Sequence, residues 1–213
     1  MKRSRQTRLG LADRSQNAAL EKSEHRNKVD RGGTVAWWLA SCWPERLVRM
    51  VIANAPHPVV WCAAMEDDSE QRRKSRYARL LRIPLLPEIL IRLGGYRGLE
   101  KVLADNQGSE AFDSDTMDRY RAAWGQRGAL RAMLNWYRAL FRQDLKMPLP
   151  SGIVVPTLLV WGDRNRFAVP RLSERSAALC ADVCVEHWPD ATHWTPHDDP
   201  QRFARAVSSF LIP

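Results

Sequence analysis

A chain of 213 residues is long enough for one domain with a substantial buried core. Hydrophobic residues make up 45% of it, and nine tryptophans lie mostly inside apolar segments. Such aromatic content suits a large core or a pocket for an apolar ligand. No apolar run approaches the ~18 residues of a membrane-spanning helix. We therefore expect a globular protein without a membrane partner.

The net charge of +9 is concentrated near the N-terminus, where residues 1–28 hold eight Lys or Arg against three acidic residues. This composition is typical of a disordered, solvated tail, and it predicts such a tail over residues 1–29. The alternative interpretation is that these positive charges bind nucleic acid. No aromatic residue is interleaved to form a stacking surface, so we expect no nucleic-acid partner.

Four cysteines bear on location and metal binding. They are Cys42, Cys62, Cys180 and Cys184. Because the N-terminus lacks the apolar core of a secretory signal, they predict reduced thiols in a cytoplasmic protein. Two of them lie near His187 and His193 in sequence, but the spacing fits no standard zinc pattern. We expect neither a metal nor a cofactor.

The first half of the chain begins with an apolar helix over residues 34–41, opened by Gly32 and Gly33. Residues 47–53, LVRMVIA, are apolar and partly β-branched, which predicts a buried strand. The Asn-Ala-Pro-His-Pro sequence then stops that strand. Residues 59–147 are charged and helical, and they are interrupted at prolines and glycines. Those interruptions lie at Pro84, Pro87, Gly94–Gly95 and Gly125–Gly128.

The second half alternates strands and helices. The sequence predicts strands over 157–161 and 183–188, and helices over 170–181 and 200–211. Such alternation indicates a parallel sheet, and the long helical insertion indicates a lid. Ligands of open α/β sheets bind beyond the carboxyl ends of the strands. The loops at 163–165 and His193 follow two strands, so we expect them at one face.

Five segments together carry a resemblance to a known family. They are DRGGTVAWWLA, WPERLVRMVIANAPHP, NWYRALFR, PTLLVWGDRN and DATHW. In this order, across residues 30–213, they resemble epoxide hydrolases of the α/β-hydrolase fold. The resemblance implies a partial α/β-hydrolase parallel sheet, from residues 30–58 and 148–213, with a helical lid at 59–147.

The resemblance implies that Asp30 is the nucleophile, whose carboxylate attacks a strained carbon and forms an ester. Without the other motifs, Asp30 would be interpreted as the N-cap of the following helix. His193 matches the family's general base, which activates the water that hydrolyses the ester; imidazole suits this role because its pKa lies near neutrality. The alternative for His193 is a structural histidine. His57 and His197 are assigned no chemistry.

Two tyrosines of the lid match donors to the epoxide oxygen. Tyr137, in NWYR, matches one donor, and Tyr77 matches its partner; two phenols can stabilise the negative charge that develops on that oxygen. Helix aromatics packed in a core are the alternative. Trp124 and Trp136, also in the lid, keep open a haloalkane or haloacid dehalogenase, which needs donors to a halide.

The sequence departs from the family pattern at the acid that orients the histidine. Asn165 occupies that position, and an amide cannot balance imidazolium charge. Asp163 is a possible substitute, and the alternative acid position of some relatives falls near Asn54, which is also neutral. Lys28 stands where the family has a small residue. The polar stretch LEKSEHRNKV precedes the nucleophile instead of a buried strand, and no His-Gly oxyanion loop is found within residues 1–28.

The sequence therefore predicts an epoxide-hydrolase-like enzyme that acts through Asp30, His193, Tyr77 and Tyr137, with Asn165 at the acid position and a small apolar epoxide as substrate. Activity is expected to be impaired by an N-terminal truncation. A dehalogenase with a halogenated substrate, and an inactive fragment or binding remnant, are the alternatives. The oligomeric state stays open.

Overall fold

The chain folds around a four-stranded parallel sheet. A computed structural model describes residues 25–29, 31–104, 112–140 and 152–212. The strands are β1 (His25–Val29), β2 (Arg49–Ala53), β3 (Thr157–Gly162) and β4 (Val183–Trp188). They lie in the order β1-β2-β3-β4, and each neighbouring pair is parallel. The α/β fold class with a parallel sheet is thereby confirmed.

The two central strands are buried on both faces, which explains their continuous apolar sequences. Met50 and Ile52 of β2 face Trp37 of the first helix, α1 (Arg31–Cys42). Val51 lies on the opposite face, in the cluster of Val207 from the last helix. Side chains alternate between the faces because the period of a strand is two. The sheet is therefore a middle layer between helices.

The first strand corrects the predicted tail. Residues 25–29, assigned to a disordered segment, form β1, and they pair with β2 from His25–Arg49 through Val29–Ala53. The polar sequence is tolerated because β1 lies at an edge of the described sheet, where two buried faces are not required. Residues 1–24 lie outside the described residues.

The insertion after β2 is helical, as its sequence predicts. Its helices are α2 (Pro58–Asp67), α3 (Ser69–Lys74), α4 (Arg76–Leu81), α5 (Leu86–Leu93), α6 (Arg97–Ala104), α7 (Ser114–Gly125) and α8 (Ala129–Leu140). Pro84, Gly94–Gly95 and Gly125–Gly128 mark boundaries between them. Pro87 does not, because it lies in the first turn of α5, where a missing N–H costs nothing.

We use the name lid for this helical insertion, to denote its place in the chain, and it has a small apolar core. Leu103, Met117, Trp124 and Leu130 are buried together, with Tyr96 and Tyr120 packed against them. The remaining helices belong to the sheet domain. They are α9 (Arg171–Ala177), α10 (Thr195–Asp198) and α11 (Pro200–Leu211), with a 3-10 turn at Pro44–Arg46. Among the described residues, none of the helices combines the length and the hydropathy that crossing a bilayer requires.

Polar side chains fasten the base of the lid to the loop after β3. Gln71 of α3 is fully buried; its Nε2 donates to the Phe167 carbonyl at 2.9 Å, and its Oε1 accepts from Val169 N at 3.0 Å. Asp68 caps α3 by accepting from the Gln71 N–H and pairs with Arg171 at 2.6 Å. The hydrogen bond from Arg171 lowers the pKa of Asp68 to about 2, so this anchor stays charged near neutrality.

Gly162, the last residue of β3, generates a prediction about the fold. A Cβ there would lie 2.1 Å from the Thr192 carbonyl oxygen and 2.6 Å from that of Ala191. Gly162→Ala must displace backbone beside His193, so we expect it to lower the free energy of unfolding by about 3 kcal/mol. Urea titration measures this change.

Gly98→Ala is the matched control, because a Cβ at Gly98 meets nothing within 4 Å and alanine favours helix. It should leave stability unchanged or raise it slightly. Equal stability of the Gly162→Ala and Gly98→Ala variants would contradict the close approach of Gly162 to the backbone of Ala191 and Thr192.

Candidate active site

A cavity of ≈ 140 Å³ lies where the lid meets the carboxyl ends of the strands. Its wall is mostly apolar and aromatic. It is lined by Thr34, Asn54, Ala55, Pro56, Pro58, Trp61, Cys62, Ser75, Tyr77, Ala78, Tyr137, Phe167, Ala168 and His193. The position agrees with the rule that α/β sheets bind ligands beyond their strand ends. A wall of this composition suits a small apolar molecule.

His193 reaches this cavity from the loop after β4. It is 5% exposed. Its ring packs edge-on against Phe167, with centroids 4.9 Å apart, and against Trp194 at 5.2 Å. Aromatic walls on two sides restrict the orientation of the imidazole. The ring is thus held at the cavity wall, as a base would need to be.

The two predicted tyrosines lie on the lid side of the same cavity. Tyr77 belongs to α4 and Tyr137 to α8, and their ring centroids are 5.8 Å apart. Tyr77 also contacts Phe167, with centroids 5.5 Å apart. Phe167 therefore lies between the tyrosine pair and His193. The structure brings Tyr77, Tyr137 and His193 together from three distant parts of the sequence.

The predicted nucleophile, Asp30, lies outside the described residues. The elements on either side of position 30 are described: β1 ends at Val29 and α1 begins at Arg31. Thr34 of α1 lines the cavity. Gly33 explains how α1 packs so closely, because a Cβ at Gly33 would lie 2.4 Å from Ala55 Cβ. The role of Asp30 stays a prediction.

Asn165 shapes a turn behind the cavity. It is 1% exposed, and its Oδ1 accepts from Phe167 N at 2.9 Å and Ala168 N at 3.2 Å. Its Nδ2 contacts Asn54 Oδ1 at 3.4 Å. These bonds hold the backbone of the aromatic Phe167 beside His193. Asn165 thus acts on the site through the loop.

Asp163 does not supply a substitute acid at the cavity. Its Oδ1 lies 2.6 Å from Nδ1 of His187, whose Nε2 lies 3.0 Å from Ser173 Oγ. Although this is a Ser-His-Asp sequence of contacts, Ser173 is fully buried and its hydroxyl donates to the Pro170 carbonyl at 2.6 Å. The contacts among Asp163, His187 and Ser173 therefore connect α9 to the sheet.

Asn54 joins the three loops at the strand ends. It follows β2 with φ of 53° and is 2% exposed. Its Oδ1 accepts from Gly162 N at 2.9 Å. Its Nδ2 lies 3.2 Å from the Thr192 carbonyl and 3.0 Å from the carbonyl of His193. The loop that carries the predicted base is therefore fixed by Asn54.

Sequence reasoning missed the roles of Asn54, Phe167 and Gln71. Asn54 offered a signal, because asparagine directly after a buried strand commonly adopts positive φ. Phe167 and Gln71 offered none. Their roles depend on contacts between the lid and the loop after β3, which lie nearly a hundred residues apart in sequence.

The thiol that lines the cavity, Cys62, is not activated as a nucleophile. Burial, reinforced by Glu66, raises the pKa of Cys62, so this thiol stays protonated and weakly nucleophilic. Within the described ranges, no group of three or more His, Cys, Asp or Glu side chains is placed to hold a metal ion. His57 is buried, and burial lowers its pKa to about 4. It therefore stays neutral while it caps α2.

Asn54→Ala removes both the acceptor of Gly162 N and the donor to the His193 loop, and it puts alanine at positive φ. Buried backbone groups would lose their partners, so we expect a loss of about 2–4 kcal/mol in the free energy of unfolding. Asn135→Ala, at an exposed asparagine of α8, should cost less than about 0.5 kcal/mol. Similar unfolding midpoints for the two variants in urea would contradict the role of Asn54 in joining the ends of β2 and β3 to the His193 loop.

The profile of the α/β hydrolase fold family matches residues 29–200. The AB hydrolase superfamily protein YfhM of Bacillus subtilis is 35% identical over 182 residues, covering 85% of this chain and 63% of that protein. Epoxide hydrolase 3 of Xenopus tropicalis is 32% identical over 189 residues, covering 85% of this chain and 51% of that protein. The chain thus spans between 51% and 63% of the length of these relatives.

Solved structures share the fold. A mutant of an epoxide hydrolase from Bacillus megaterium has a TM-score of 0.81 at 22% identity, covering 94% of this chain and 74% of that one. A structure reported among novel epoxide hydrolases in metagenomes from hot environments has a TM-score of 0.74 at 26% identity, covering 88% and 67%. With four parallel strands, a helical insertion and a profile that matches most of its length, the chain belongs to the α/β-hydrolase fold family.

Proposed function

We propose that this chain acts on small apolar epoxides, with Asp30 as nucleophile, Tyr77 and Tyr137 as donors to the epoxide oxygen, and His193 as general base. One observation carries the proposal: both tyrosines and His193 line a single, largely apolar cavity at the strand ends. Relatives named epoxide hydrolases, at 32% and 33% identity, support the same chemistry.

The first step is alkylation. A carboxylate oxygen of Asp30 attacks one epoxide carbon, the ring C–O bond breaks, and an ester forms. The released oxygen takes a proton from one phenol while the other donates a hydrogen bond. Phenols suit this role because negative charge grows on that oxygen only in the transition state. The centroids of the two tyrosine rings are 5.8 Å apart, which leaves room for both hydroxyl groups to donate to the same epoxide oxygen.

The second step is hydrolysis of the ester. His193 removes a proton from water, the hydroxide attacks the ester carbonyl carbon, and the acyl C–O bond breaks. The departing alkoxide takes the proton of the newly formed carboxyl group, which releases a vicinal diol and the Asp30 carboxylate, and the proton held by His193 returns through solvent to the phenolate left by the first step. The imidazolium must then be stabilised. Asn165, neutral and committed to the backbone of the 167–168 turn, gives it no balancing charge. Hydrolysis should therefore be the slower step.

The structure weakens the argument for a dehalogenase. That alternative depended on Trp124 and Trp136 as halide donors. Trp124 is buried in the lid's own core, and Trp136 is 43% exposed. The tryptophan that lines the cavity is Trp61. Measurement of halide release from a chloroalkane tests this second function directly.

Intact-mass spectrometry after incubation with styrene oxide tests the proposal. We expect a covalent adduct of one epoxide mass to accumulate and turn over slowly, and Asp30→Asn to abolish it. Tyr137→Phe should slow adduct formation on the order of a hundredfold, since one transition-state donor is lost. His193→Gln should leave adduct formation intact and block its hydrolysis.

Tyr120→Phe is the matched control for the lid tyrosines, because Tyr120 packs against Phe112 and Trp124 in the lid core. It should form the adduct at the native rate. An adduct that persists in Asp30→Asn, or equal slowing by Tyr120→Phe and Tyr137→Phe, would rule out the proposed roles.

Restoring the acid by Asn165→Asp should fail to restore fast turnover. The new carboxylate oxygen would face Asn54 Oδ1 at about the present 3.4 Å, and Asn54 cannot rotate without losing its bonds to Gly162 and the His193 loop. A buried carboxylate at position 165 next to the Asn54 amide oxygen is unfavourable, and we expect the free energy of unfolding to fall by about 1–3 kcal/mol. Rapid multiple turnover by Asn165→Asp, without loss of stability in urea, would contradict this prediction.

A further inference from the structure

Helix α5 presents its apolar face outward. Its positions 86, 89, 90 and 93 share one side by helical spacing, whereas Pro87 and Glu88 on the other side are buried. The outward residues and the preceding turn form what we call the apolar α5 face. It consists of Ile83 (40% exposed), Leu85 (65%), Leu86 (42%), Ile89 (52%), Leu90 (52%) and Leu93 (80%). Six large apolar side chains within eleven residues exceed the scattered exposure that is usual on a surface.

The backbone directs one of these side chains outward. Leu85 has φ of 64°, a left-handed conformation that a leucine rarely adopts. It directly precedes α5, and its carbonyl accepts from Ile89 N at 3.0 Å. The strained residue is thus also among the most exposed of the apolar face. The apolar α5 face therefore includes a residue with an unusual backbone conformation, Leu85, in addition to being rich in leucine and isoleucine.

The segment that carries this face is rich in exposed arginine. Residues 76–98 contain five arginines and one acidic residue. The arginines are Arg76, Arg79, Arg82, Arg92 and Arg97, all exposed. The acidic residue, Glu88, is 8% exposed and pairs with Arg138 at 2.8 Å. Since the carboxylate of this segment is buried, the exposed residues of positions 76–98 combine leucine and isoleucine with arginine.

We propose that the apolar α5 face docks on an anionic lipid surface, with its leucine and isoleucine side chains among the acyl chains and the flanking arginines at the headgroups. This combination is what an interfacial helix needs, and anionic lipid supplies the complementary charge. A membrane partner was not expected from the sequence, because no apolar run is long enough to span a bilayer. Peripheral docking requires no such run.

In sequence, the docking surface follows directly after a helix that lines the cavity. Helix α4 contributes Leu80, 51% exposed, to the protein surface and Tyr77 to the cavity wall. The proposal does not rest on epoxide chemistry, because it concerns residues that take no part in the reaction.

Cosedimentation of the full chain with lipid vesicles tests the proposal. We expect binding to vesicles of phosphatidylcholine mixed with phosphatidylglycerol, and much weaker binding to phosphatidylcholine alone. Ile89→Glu with Leu93→Glu should weaken binding at least about tenfold, since buried methylene groups are lost from the acyl region. Arg79→Gln with Arg92→Gln should weaken binding to the anionic vesicles by about fivefold per arginine.

Val48→Glu with Val154→Glu is the matched control. These valines are 59% and 64% exposed and lie in the sheet domain, and the pair makes the same change in net charge. It should bind vesicles as the native chain does. Circular dichroism should show equal melting of the native chain and both double variants, and Leu93→Glu alone serves as the test if the double lid variant unfolds.

Three results would overturn the proposal. They are absence of sedimentation with either vesicle, equal weakening by the lid and control pairs, and a dimer in light scattering that Ile89→Glu with Leu93→Glu converts to a monomer without any binding to vesicles. The last result would assign the face to a second copy of the chain. None of them bears on whether styrene oxide alkylates Asp30.

Discussion

Three buried side-chain amides hold the cavity together. Asn54 joins the ends of β2 and β3 to the His193 loop, Asn165 folds the loop after β3, and Gln71 attaches the lid to that loop. An amide can do this because it donates and accepts at once. Asn54 and Gln71 each bond both backbone N–H and backbone C=O groups, whereas Asn165 accepts from two backbone N–H groups and donates to Asn54 Oδ1. Phe167, Tyr77 and His193 keep their mutual positions because these amides fix the segments that carry them.

The neutrality of this network has a chemical consequence. A carboxylate among the same backbone groups would need to find donors for every lone pair, and Asn54 Oδ1 already occupies one direction around residue 165. The arrangement therefore favours a well-ordered loop over a charge that could balance an imidazolium. In the proposed mechanism, binding and ring opening depend on Tyr77, Tyr137 and the apolar wall, whereas ester hydrolysis depends on His193 without a balancing carboxylate at position 165.

The sequence was sufficient for the parts of the fold that depend on continuous apolar patterns. β3 and β4 begin where their sequences predict, and so does the helix from Pro200. The helix predicted over 34–41 is present, but it begins three residues earlier, at Arg31, and contains Gly32 and Gly33. β1 was missed because its polar sequence lacks the continuous apolar pattern expected of a central strand; among the strands that the structure describes, it lies at the edge. The convergence of Tyr77, Tyr137 and His193 on one cavity was implied by the resemblance to epoxide hydrolases. The orientation of Asn165 did not, since it is set by backbone N–H groups two and three residues on.

The lid shows why apolar residues on a helix do not by themselves predict burial. In α5, the apolar residues at helical spacing are typical of a core-facing side, yet Glu88 and Pro87 occupy the buried side and the leucines face outward. The buried side of α5 carries the Glu88–Arg138 ion pair. Arg138 also donates to the Ile83 carbonyl at 2.9 Å, so polar contacts join α8 to α5 and to the turn before it. Tyr137 lies next to Arg138 in α8, and these contacts therefore hold the helix that carries a cavity tyrosine against the inward side of α5.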